Sequence, residues 1–310
     1  MILHMGAHRT GTTTFQKYLR NNQDNLTKMG MAYWGPRRTR SGLLAGLFTR
    51  PDQITPAVAH RAKRSGGRVR LATQLLARKG TQTLIVSDEN MLGTMQGNVS
   101  RAMLYPDGEA RLRRFYAPFG ESCTRVCISI RSYENYWASV LAFMIAKGYD
   151  APDRAMLERL AIQPYRWRDV IAAASVVFQN ARIIVWPFES FASQPEQQLA
   201  MLTGAPVPIE TRGKRDWVNA SMGRAQLRAL IEERGESGFG MHGGDGRWQP
   251  FAPDHVARLR RDYLEDLAWL RAGADGLATY IESAGTHPRT MTEEEGHADE
   301  QEERRLGHPR

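Results

Sequence analysis

The segment ILHMGAHRTGTTTFQ sets a glycine-rich turn, Gly6 to Thr13, between a short apolar run and a helical pattern. Such a turn presents backbone N–H groups and the positive end of a helix, a ready site for a phosphate-like anion. Gly6 and Gly11 allow the tight path, Arg9 adds a cation, and Thr10, Thr12 and Thr13 add hydroxyls. Farther along, Arg131 ends a strand pattern and Ser139 lies on the helix that follows it. An arginine so placed can fork onto phosphate oxygens while the serine donates its hydroxyl. Asp88 and Glu89 end another buried strand, the edge where parallel α/β sheets place their sites.

The turn invites comparison with the nucleotide-binding pattern G-x-x-x-x-G-K-[ST]. Gly6, Gly11 and Thr13 fit it, but Thr12 stands where the phosphate-reaching lysine belongs. A P-loop phosphotransferase or ATPase, with Asp88 or Glu89 on Mg²⁺, therefore stands only as an alternative. HRTGTTTFQ more closely resembles the 5′-phosphosulfate loop of sulfotransferases that use PAPS (3′-phosphoadenosine 5′-phosphosulfate), with Arg9 in place of the family's lysine. IRSYENYWASVLAF is similar to the family's 3′-phosphate motif, an arginine followed eight residues later by a serine, here Arg131 and Ser139. WPFESFASQPEQQLAMLTGAP, VNASMGRAQLRAL and RWQPFAPDHVARLRRDYLEDLAWL resemble later family segments in the same order.

The resemblance, closest to bacterial carbohydrate-type enzymes, implies a P-loop-like fold and transfer of a sulfuryl group from PAPS to an acceptor hydroxyl. PAP (3′-phosphoadenosine 5′-phosphate) is the implied product, and no metal is implied. Arg9 would steady the leaving phosphate, while Gly6, Thr10, Gly11, Thr12, Thr13, Arg131, Ser139 and Arg247 would hold the donor. Glu89 matches the glutamate base of the carbohydrate-type enzymes. The rival bases are His8, inside the loop, and His242, in the glycine-dense stretch Gly235–Gly246; His4 reads as a sheet residue. The implied acceptor is a carbohydrate or other hydroxyl compound.

The elements that would position these groups alternate. Strand patterns at Ile2–Met5, Met31–Trp34, Thr83–Ser87, Thr124–Arg131 and Arg182–Trp186 are separated by helical patterns. The helical stretches are Thr12–Asn22, Pro56–Lys79, Tyr133–Ala146, a pair broken at Pro164, Pro195–Thr203, Arg224–Arg234 and Pro253–Ala272. This alternation predicts a three-layer α/β/α domain over residues 1–285, built on a central parallel sheet of four to five strands. Residues 286–310 are polar and acidic and are expected to be a disordered tail.

The 310 residues carry a formal net charge of +9, with clusters at Arg37, Arg38 and Arg40 and at Arg111, Arg113 and Arg114. Charge alone leaves open an anionic donor, an anionic polymer bound without catalysis, and a solvated basic surface. Nucleic acid is not the expected partner. No apolar run is long enough to span a membrane, and the expected compartment is the cytoplasm. Cys123 and Cys127 lie about 13 Å apart along an extended chain, too far for a disulfide.

Overall fold

The computed structural model describes residues 1–204, 222–235 and 246–283. Six strands form one sheet in the order β2-β3-β1-β4-β5-β6, and every pairing is parallel. They are β1 (Ile2–His4), β2 (Met31–Trp34), β3 (Thr83–Ser87), β4 (Arg125–Ile130), β5 (Arg182–Pro187) and β6 (Thr279–Tyr280). The sixth strand corrects the expected count of four to five. With two residues it is too short to leave an alternating pattern, and it joins the edge through Ile184↔Thr279 and Val185↔Tyr280.

Strands buried on both faces feed two cores by turns. In β4, Val126, Ile128 and Ile130 face the larger core and Cys127 the smaller; in β5, Ile183 and Val185 oppose Ile184 and Trp186. On the larger side pack α2 (Pro56–Arg78), α3 (Gly108–Phe119), α4 (Tyr133–Ala146) and α5 (Trp167–Val177), burying Val69, Phe115, Trp137 and Trp167. On the smaller side α1 (Thr12–Asn21) and α6 (Pro195–Thr203) bury Phe15, Leu19, Leu199 and Leu202. Each such side chain contributes roughly 1.5–3 kcal/mol of burial. The result is the three-layer α/β/α arrangement.

Helix α3 has no counterpart among the sequence expectations, and it accounts for one arginine cluster. Arg111 is buried and donates to the Asn90 carbonyl at 2.9 Å, Arg113 pairs with Glu109, and Arg114 donates to the carbonyls of Thr49 and Gly46. Both cysteines are buried and free. Burial pushes the Cys123 thiol up to about 11 and raises that of Cys127 further. Among the described residues no helix is long and apolar enough to cross a membrane. His242 and most of the Gly235–Gly246 stretch, the Val218–Ser221 part of the later motif and the 286–310 tail lie outside the described residues.

The chain lays down β2 and β3 on one side of β1, then β4, β5 and β6 on the other. Such a reversal opens a crevice beyond the carboxyl ends of the strands. The turn after β1, Glu89 after β3, Arg131 after β4 and Phe188 after β5 all follow those ends.

Candidate active site

The turn that leaves β1 is held in shape by its backbone. Ala7 N–H donates to the Ser129 carbonyl at 3.2 Å, which carries the turn along β4. Gly6, Arg9 and Gly11 have φ of 44°, 63° and 77°. For Arg9 the left-handed conformation costs about 1 kcal/mol, which a glycine would avoid. The strain aims a guanidinium into the cleft. A Cβ at Gly6 would collide with Thr12 Oγ1. Gly6→Ala should therefore destabilise the fold by about 1–2 kcal/mol in urea titration and weaken anion binding at the turn.

Two of the loop hydroxyls stay inside the loop. Thr10 Oγ1 donates to the Ala7 carbonyl at 2.6 Å, and Thr12 Oγ1 donates to the same carbonyl at 3.3 Å. Thr12, Thr13 and Thr14 line the cleft with Gly11; Gly6 and Thr10 support it from behind. Thr14 Oγ1 is buried with no hydrogen-bond partner among the described residues.

The turn and the β4 end meet directly. Arg131 Nη1 donates to the Arg9 carbonyl at 2.6 Å, and Arg9 Nε donates to Ser139 Oγ at 2.9 Å. Each guanidinium lies over a ring, Arg9 over Phe143 at 5.1 Å and Arg131 over Phe188 at 4.6 Å. Arg247 enters the same cleft from beside an isolated bridge to Gly223. Burial first, and the Arg247 charge second, lower Arg9 and Arg131 to about 10 each. Both remain cations at neutral pH. Arg131 Nε is buried and unpartnered among the described residues. Three mutually repelling cations and two orphaned polar atoms, in a cavity of about 570 Å³, suit a ligand with more than one anionic group.

Arg131 is anchored from behind. Trp167 Nε1 donates to its carbonyl at 2.7 Å, and the Trp167 N–H donates to Tyr133 Oη at 2.6 Å. Tyr133 in turn donates to the buried carboxylate of Asp266, whose other oxygen accepts from Arg168 Nε at 2.6 Å.

Glu89 lines the same cleft, and Gln16 Nε2 donates to its Oε2 at 3.0 Å while Arg40 Nη2 donates to its Oε1 at 3.0 Å. Burial alone would raise its pKa, but His8 and Arg40 outweigh it and hold the carboxyl below the ordinary range. Arg40 is the permanent charge of the two. Its neighbour Asp88 is wholly buried and accepts from Arg40, from Thr39 Oγ1 at 2.5 Å and from the Asn90 N–H at 3.1 Å. Asp88 thus caps the turn after β3, and both its oxygens are engaged.

His8 also lines the cleft, yet both ring nitrogens bond inward. Nε2 donates to Asn90 Oδ1 at 3.0 Å, and Nδ1 accepts from the Tyr105 hydroxyl at 3.0 Å. Burial lowers its pKa, against the nearby Glu89 charge that raises it. His4 is a buried sheet residue paired with Ser87 Oγ at 2.8 Å, and burial takes it down to about 4. Trp34, Tyr105, Tyr133 and Trp137 are all core residues. Among the described residues no group of three or more His, Cys, Asp or Glu could hold a metal ion.

The cleft brings together Arg9, Gly11, Thr12, Thr13, Glu89, His8, Arg131, Ser139 and Arg247 from five separate stretches of chain. Sequence reasoning named Arg40 only as part of a basic cluster and did not single out Phe143 or Phe188. Gln16 stood in the quoted loop motif, a signal that gave no hint of its bond to Glu89.

No family model matches the chain, and no curated protein matches it. A solved structure described as a sulfotransferase from Alicyclobacillus acidocaldarius aligns over 88% of this chain and 95% of its own, at 14% identity and a TM-score of 0.41. At that level of likeness, the chemistry must be argued from the cleft of this chain itself.

Proposed function

We propose that the protein is a PAPS-dependent sulfotransferase acting on a hydroxyl acceptor, with carbohydrate the favoured class. The observation that carries the reading is the direct junction of two anion-holding corners: Arg131 bonded to the Arg9 carbonyl, and Arg9 bonded to Ser139. A nucleotide phosphorylated at both the 3′ and 5′ positions matches that pair. The loop amides, that of Thr12 included, with Thr13 and Arg9 hold the 5′ end; Arg131, Ser139 and Arg247 hold the 3′-phosphate. The acceptor oxygen attacks sulfur in line, its proton passes to Glu89, and the bond from sulfur to the phosphate oxygen breaks with Arg9 offsetting the charge left on that oxygen. His8, with both nitrogens engaged, steadies the loop.

The ATPase alternative needs an acidic residue committed to Mg²⁺, whereas Asp88 gives its oxygens to Arg40, Thr39 and Asn90, and Glu89 gives its own to Arg40 and Gln16. A purely passive polyanion binder has no use for an ionised Glu89 facing the arginines. We place the whole activity in one domain spanning residues 1–285, in the cytoplasm, with no metal required. Calorimetry tests the reading: PAP should bind with a Kd on the order of micromolar without Mg²⁺, about −8 kcal/mol. Mg-dependent ATP turnover with no PAP affinity would refute it.

A further inference from the structure

A second cavity, of about 800 Å³, adjoins the first and shares Thr13 and Glu89 with it. Met31, Ala32, Tyr33 and Trp34 line it in succession, so it follows edge strand β2 for about 10 Å. Its charge is one-sided. Lys17, Arg20, Arg37, Arg38, Arg40 and Lys79 line it, and Glu89 is the only carboxylate among its lining residues. Arg40 is committed to Asp88 and Glu89, and Arg38 lies over the Trp34 ring at 4.8 Å. Arg20, Arg37 and Lys79 are exposed and make no ion pair among the described residues.

We infer that this groove is the acceptor site and that the acceptor is an acidic saccharide, a sugar bearing carboxylate or sulfate groups; the inference rests on the donor reading above. A neutral acceptor would leave the cations repelling one another, whereas an anionic one offsets them along the groove. The shared Glu89 and Thr13 put the groove's occupant next to the proposed base and the 5′ loop. Gln23, Thr27 and Thr81 add amide and hydroxyl groups that can both donate and accept, as a polyhydroxylated ring requires. The short helix Gln23–Lys28 packs against β2 and contributes two of these groups. Side chains, rather than a bare strand edge, thus face the ligand, which favours a saccharide over a peptide added as an extra strand.

Calorimetry on the full chain, with and without PAP, tests this with three probes. They are a hexasaccharide of alternating uronate and N-acetylhexosamine, the same hexasaccharide with its carboxyls reduced to alcohols, and an acidic tyrosine-containing peptide of equal charge. The acidic hexasaccharide should bind about tenfold or more tightly than its reduced form, with affinity falling as salt rises. The double variant Arg37→Ala/Lys79→Ala should lose about tenfold for the acidic sugar while its PAP affinity stays at the parent value. Equal binding of the reduced sugar, an indifferent double variant, or tighter binding of the peptide overturns the inference. Should the acidic sugar bind as stated while PAP does not bind at all, the groove stands as an acidic-saccharide site, and the donor reading falls together with the groove's role as acceptor site.

Discussion

Arg131→Ala is expected to weaken PAP binding about a hundredfold while the protein still folds. The side chain is buried over Phe188, spends one amino group on the Arg9 carbonyl, and leaves Nε without a partner among the described residues. Burial and the charges of Arg247 and Arg9 bring it down to about 10, so the fold retains this cation against both burial and like charge. An anionic ligand supplies the opposite charge that offsets both. Losing one or two charge-assisted hydrogen bonds at about 1.5–3 kcal/mol each gives the hundredfold figure. Calorimetry reads the affinity, and thermal melting without ligand checks the fold. Arg131→Lys should recover only part of the loss, because an ammonium lacks the planar fork. A variant within twofold of the parent would remove Arg131 from the donor site.

Glu89→Gln should lower turnover by about 10²–10³-fold and leave PAP affinity unchanged. The amide keeps the shape but cannot take the acceptor proton. The pH profile gives a second reading. The Glu89 pKa is lowered, so the carboxylate is already ionised at neutral pH and its activity is flat there. Activity falls only as pH drops through the folded-state value, below the ordinary carboxylate range. Any stability linked to this group is likewise present above its unfolded pKa and lost on the same descent. Arg40→Ala removes the permanent positive neighbour, so the acid limb should move to higher pH. Full activity in Glu89→Gln would place the base elsewhere.

Five of the six strands were legible, the four inner ones because a strand buried on both faces must be a run of apolar, often β-branched residues, as Thr83–Ser87 is. β6 was not, since two residues of an edge strand carry no period. Helix α3 was obscured by Pro118 near its end and by a basic surface that reads as loop. In the cleft, the glycine-rich turn was legible from its glycine spacing, and its meeting with Arg131 and Ser139 was expected from the family resemblance. The lock on Glu89 was not. Arg40 reaches Asp88 and Glu89 across nearly fifty residues, and Phe143 and Phe188 earn their places only by lying beneath guanidiniums. Contacts of that kind depend on tertiary proximity and leave no local pattern. The Arg37–Arg40 and Arg111–Arg114 clusters looked alike in sequence, yet one lines a groove and the other ties down carbonyls.

The indole that holds the Arg131 carbonyl is itself steadied, through Tyr133, by Asp266 on a helix that contributes nothing to the cleft wall. Under the proposed donor reading, grip on the nucleotide is thereby adjustable at a distance. A change at Asp266 or Arg168 is then expected to loosen the hand without touching its fingers, so that selection could retune affinity for the proposed donor while the cleft residues stay the same.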